Sequence, residues 1–154
     1  MERKTKINAE QGKQDLRITR AFDLPVELLF KAYTEAAFVE QWMGTKVLKL
    51  ESKKHGSYQF QTRRGEVVVF SANGTIHELI PDQKIVRTFE MENAALGVQL
   101  EIIEFIKCTN DTSEINIHTI YESAALRDQQ LQLPFAAGIN SAHNRLQEIL
   151  FKLK

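Results

Sequence analysis

Apolar residues alternate with polar ones through most of the middle of this chain and step by threes and fours on either side of it. The two periods predict strands flanked by helices. Over 15–22 the partial alternation of Leu16, Ile18 and Phe22 predicts a first strand. The step Asp23-Leu24-Pro25 then opens a helix, because proline tolerates the first turn and an acid suits the positive helix end. Val26, Leu29, Phe30 and Tyr33 fall on one face of it. Thr34 is the expected cap of a second short helix carrying Phe38, Val39 and Trp42, and Gly44 ends that helix. Strands are expected over 46–51, 57–62, 66–80, 84–90, 98–107 and 113–121. Gly74 is the expected bulge or close-approach point in the longest of them. From Pro134 onward Phe135, Ile139, Ala142, Leu146, Ile149 and Leu153 step by 4, 3, 4, 3, 4, and predict one long amphipathic helix. Asn140, Asn144, Gln147 and Lys152 are expected away from that stripe.

This order has one economical arrangement. A single terminal helix after a continuous antiparallel sheet buries its stripe across one face of that sheet. The expected fold is therefore α+β, with a curved antiparallel sheet of six or seven strands gripping a long C-terminal helix. Two short helices follow the first strand. Where the sheet curves, the space beneath the helix becomes a cavity. Residues 1–14 read as a flexible tail and 15–154 as one domain.

Composition narrows the function classes. Lys plus Arg and Asp plus Glu both number 20, so the chain lacks the basic field that broad nucleic-acid or membrane-surface binding needs. No stretch approaches the roughly 20 apolar residues of a membrane span. The first 14 residues lack the apolar core of a secretory signal. Cys108 is the only cysteine, so no internal disulfide can form, and the expected location is cytoplasmic. The four histidines show no metal-ligand spacing, and no phosphate loop, dinucleotide fingerprint or nucleophile elbow is present, so no metal or cofactor is expected.

Four stretches, taken in order, resemble a known family. They are ITRAFDLPVELLFKAYTEAAFVEQW (18–42), ESKKHGSYQF (51–60), FSANGTIHELIPDQKIVRTF (70–89) and FAAGINSAHNRLQEIL (135–150). The pattern is similar to the helix-grip fold of the START/Bet v 1-like superfamily, in the branch named after the activator of Hsp90 ATPase. Two departures stand out. In the turn at 51–56 the family's aspartate is Glu51 and its first glycine is His55. In the closing helix its Gly-Trp is Gly138-Ile139, which changes the shape and polarity of any pocket there.

The resemblance implies a pocket between sheet and helix, and the residues suggest its lining. Candidate ligand contacts are Trp42, Phe60, Phe70, Glu78, Arg87, Phe89, Ile139 and His143. Arg87 enters the cavity if its strand face is concave, and then needs a carboxylate partner, either Glu78 or an anionic ligand. In the opposite register it is a solvated arginine, and one sequence does not choose between them. His143 lies beside the apolar stripe, where it either meets a ligand or packs against the sheet.

Three functions follow. The first is a carrier or sensor of a small apolar or amphipathic molecule. The second is a cyclase- or hydrolase-like enzyme using the same cavity, as the resemblance allows, with His143 paired to Glu78 or Arg87. The third is a chaperone-associated or dimerising module with an apolar patch around Leu131, Leu133 and Phe151. The namesake's chaperone contact uses a further N-terminal region for which this chain has no room. The expected state is a monomer or homodimer.

Overall fold

A computed structural model describes residues 4–154. Among them are eight strands and four helices, in the order β1 (Lys6–Asn8), β2 (Asp15–Phe22), α1 (Val26–Thr34), α2 (Ala36–Met43), β3 (Lys46–Leu50), β4 (Ser57–Arg64), β5 (Val67–Ile80), β6 (Lys84–Met91), β7 (Val98–Lys107), β8 (Ser113–Ile120), α3 (Ala124–Gln132) and α4 (Phe135–Phe151). The strands form one antiparallel sheet in the order β1-β2-β8-β7-β6-β5-β4-β3. The first long strand closes beside the last one, so α1 and α2 cross from one side of the sheet to the other.

Alternation sets which face is buried. Leu16, Ile18, Arg20 and Phe22 of β2 point inward, as do Ser113, Ile115, Ile117 and Thr119 of β8. Helix α1 buries the expected Val26, Leu29, Phe30 and Tyr33. Gly44 closes α2 in the left-handed region at φ 63°, where a side chain would be strained. Glu51 holds the next turn by accepting the Ser57 backbone N–H at 3.0 Å. That hydrogen bond, together with Lys49, pulls its carboxyl below the ordinary range. His55 stands at φ 67° where the family pattern has glycine.

Several expectations are corrected. The tail expected over 1–14 contains β1, which pairs antiparallel with β2; residues 1–3 lie outside the described residues. The sheet has eight strands rather than six or seven. Helix α3 is an addition. Ser123 caps it by accepting the Leu126 N–H at 3.1 Å. Thr34 is not the cap of α2, because its hydroxyl donates back to the Phe30 carbonyl within α1. The register shift in β5 falls between Ile76 and Glu78, not at Gly74. Of the bulge or close approach expected at Gly74, the close approach holds: a Cβ there would run into the Thr88 carbonyl and the Tyr58 hydroxyl.

The buried face of α4 is turned from the expected stripe. It centres on His143, Leu146 and Leu150, while Leu153 lies beyond the helix and is exposed. The principal backbone neighbours of α4 are α2, α1 and α3 rather than the strands. Its C-terminal half anchors in the core through Leu146 and Leu150. Its N-terminal half therefore stands over the sheet with space beneath it.

Candidate ligand cavity

That space is a cavity of about 520 Å³ between the concave sheet face and the N-terminal half of α4. Its walls are largely aromatic and aliphatic: Phe70, Phe89 and Met91 from the strands, Trp42 from α2, and Phe135, Ile139 and Ala142 from α4. Trp42 donates its indole N–H to the Ala32 carbonyl at 2.7 Å, so what it offers the cavity is an apolar ring. Gly138 also lines the wall, and a Cβ there would meet nothing within 4 Å.

Polar groups enter at defined rows of the sheet. Arg87 on β6 stands directly opposite Glu101 on β7, and Glu101 opposite Thr119 on β8. All three line the cavity. Arg87 Nε donates to Glu101 Oε1 at 2.8 Å. The guanidinium carbon lies 5.0 Å from the Tyr58 ring centroid and 5.9 Å from that of Tyr33, within cation–π range. Burial opposes the charge on Arg87, but Tyr58 and Glu101 outweigh it and hold its pKa above the ordinary value. Burial likewise raises the Tyr33 and Tyr58 hydroxyls, so both stay protonated. One row away, Gln130 Oε1 accepts from Gln99 Nε2 at 3.0 Å and from the Tyr121 hydroxyl, which ties α3 to the sheet.

His143 sits on the opposite wall, 1% exposed, with its ring edge-on to Phe22 at 5.5 Å and tilted against Trp42 at 6.4 Å. Its Nδ1 lies 2.7 Å from Thr5 Oγ1. Thr5 Oγ1 also accepts from Arg20 at 3.4 Å. Burial, reinforced by the nearby Arg20 charge, lowers the pKa of His143 to about 3. The ring is therefore neutral at any ordinary pH.

Six of the expected contacts line the cavity: Trp42, Phe70, Arg87, Phe89, Ile139 and His143. Phe60 and Glu78 do not. Phe60 is buried in the core against Tyr58, 5.0 Å away, behind the cavity wall. Glu78 faces solvent and pairs with Lys84 at 3.2 Å, because the register shift after Ile76 ends the alternation that would have turned it inward. The expected Arg87–Glu78 pair is thus Arg87–Glu101. Glu101, Thr119, Gln99 and Gln130 are wall residues that sequence reasoning missed. Asn140 and Asn144, expected away from the apolar stripe, take hydrogen bonds from Thr5 and Arg20. Leu133 and Phe151 are exposed but stand at opposite ends of α4, roughly 25 Å apart by helix rise. Leu131 packs on the core, so the three do not form one patch.

Residues 23–150 match the family model described as "Activator of Hsp90 ATPase homolog 1-like protein". Among solved structures, a Rhodobacter sphaeroides protein superposes with a TM-score of 0.83 at 18% identity, over 96% of this chain and 99% of that one. A Mycobacterium smegmatis protein also gives 0.83 at 18%, over 96% of each chain. A Plasmodium falciparum protein described as an HSP90 activator gives 0.61 at 18%, over 85% of this chain and 92% of that one. At such identities the likeness shows the fold alone. No curated protein matches the sequence. No helix among the described residues is long and apolar enough to cross a membrane.

Proposed function

The chain belongs to the activator of Hsp90 ATPase homolog 1-like family, and within that family we propose that it is a carrier or sensor of a small, mostly apolar molecule held between the sheet and α4. The observation that carries this reading is the cavity itself. Its 520 Å³ falls within the roughly 300–1,000 Å³ of small-molecule sites, and its walls have their mix of many apolar and few polar groups. The space is partly open to solvent, so a ligand can reach it. Filling it with apolar ligand surface is favourable by about 25 cal/mol per Å² before ordering costs.

The test is a thermal-shift screen against fatty acids, sterols, flavonoids, aromatic acids and polyketide-like rings. At 100-fold saturation a ligand adds about 2.7 kcal/mol, or roughly 5–10 °C at this chain length. Ile139→Trp projects a large ring into the cavity from α4 and is expected to abolish the shift while the protein stays folded. A silent screen, or a shift that survives in Ile139→Trp, counts against the reading.

The enzyme alternative loses its His143–Glu78 pair, because Glu78 faces solvent. Chaperone association draws support from the family name and the Plasmodium likeness, but not from the divided Leu133 and Phe151.

A further inference from the structure

We propose that the cavity selects a molecule with an uncharged, hydroxyl-bearing head, docked on Arg87, Glu101 and Thr119, over the carboxylate of the same skeleton. This rests on the cavity reading above and adds the chemistry of the head group.

The three side chains form one row across adjacent strands and share one wall. The ion pair is made through a single contact, from Arg87 Nε to Glu101 Oε1. The side chains are 8% and 16% exposed. Both terminal amino groups of Arg87, Glu101 Oε2 and the Thr119 hydroxyl have no hydrogen-bond partner among the described residues. They are not sealed off either. Among the described residues, the sealed and unpartnered side-chain polar atom is Thr45 Oγ1, elsewhere in the fold. The row therefore presents free guanidinium N–H donors beside a free carboxylate acceptor, in a space otherwise walled by apolar groups. A ligand head that displaces water from these groups has to replace its hydrogen bonds.

Charge decides which partner fits. The carboxylate that Arg87 needs is already supplied by Glu101, so the row is neutral as a whole. An incoming carboxylate would be attracted by Arg87 and repelled by Glu101 beside it. It would lose its hydration with no net charge to offset the loss. The other groups on the walls do not change this. His143 is neutral, and Arg145, which donates to the Trp42 carbonyl, sits exposed at the rim where water screens it. A hydroxyl fits both halves of the row, accepting from Arg87 and donating to Glu101.

The test compares matched probes at pH 8, where the acids are ionised: 1-decanol against decanoate, with decane as the headless control, and 2-naphthol against 2-naphthoate. Trp42 is the only tryptophan and lines the cavity, so its emission reports the aliphatic set; calorimetry reports the aromatic pair. The wild-type protein is expected to bind the alcohols at least tenfold more tightly than the acids. Glu101→Gln leaves Arg87 uncompensated and is expected to move that ratio at least tenfold toward the acids. If Glu101→Gln does not fold, the wild-type ratio decides alone. Acids bound as tightly as alcohols overturn the head-group assignment and leave the cavity reading intact. Silence toward every probe, decane included, overturns both.

Discussion

At the scale of single residues, a side chain's chemistry was set by what the register placed opposite it. Arg87 and Glu101 are 14 positions apart and meet because β6 and β7 pair at those residues. Glu78, nearer in sequence and on a neighbouring strand, is turned away by one irregular step at His77. His143 shows the same dependence and yields a pH prediction. An unfolded histidine titrates near 6.5, whereas the folded ring is held at about 3. Between those values the unfolded chain takes up a proton that the folded one excludes. The contribution of His143 to stability is therefore flat above about pH 6.5 and falls as the pH drops toward 3, by up to about 1.4 kcal/mol per pH unit. His143→Gln keeps an amide for Thr5 but does not titrate. Its melting temperature is expected to fall less steeply than wild type between pH 6.5 and 4. Parallel curves for the two proteins would show that the ring is not held neutral by burial.

At the scale of elements, α3 and α4 show what periodicity captures and what it misses. The period of α4 is legible, but its buried face centres on Leu146 and Leu150, and Leu153 plays no part in it. A stripe predicts a direction only to within about one residue, and the neighbouring helices choose among those directions. Helix α3 has no stripe to read, because the residues it buries are polar. Arg127 donates to the Glu10 and Asp15 carbonyls at 2.6 and 3.0 Å, and Gln130 joins the Gln99–Tyr121 network. Gly138 supplies the element-scale prediction. It lies inside α4, where glycine costs about 0.5–1 kcal/mol relative to alanine, and a Cβ there enters open space. Gly138→Ala is expected to stabilise by about that amount, measured as the urea midpoint at unchanged m-value. A loss of stability would mean that the glycine serves a backbone conformation other than helix.

At the scale of the whole molecule, the N-terminal strand is the largest departure from expectation. Three paired residues are too few for a periodic signal, yet β1 extends the sheet at the edge of β2. Ile7 and Ala9 pack against the core, and Thr5 carries the bonds to His143 and Asn140. Burying an isoleucine is worth about 1.5–3 kcal/mol, and a hydrogen bond about 1. Deleting residues 1–9 is therefore expected to cost about 3 kcal/mol, a fall of roughly 6–12 °C in melting temperature. An unchanged melting curve would show that β1 is dispensable to the fold.

The sequence by itself determined the element order and the long closing helix, its resemblance pointed to the helix-grip architecture, and it named Trp42, Phe70, Phe89 and Ile139 of the cavity wall while leaving the placement of Arg87 and His143 open. These depend on period, turn chemistry and local motifs, which are written along the chain. Tertiary structure alone decided the eighth strand, the polar helix α3, the identity of Arg87's partner and the tie between Thr5 and His143. Each of these is a contact between distant positions. A shift of one residue in strand pairing exchanges every inward side chain for its neighbour, and nothing local records which register the assembled sheet adopts.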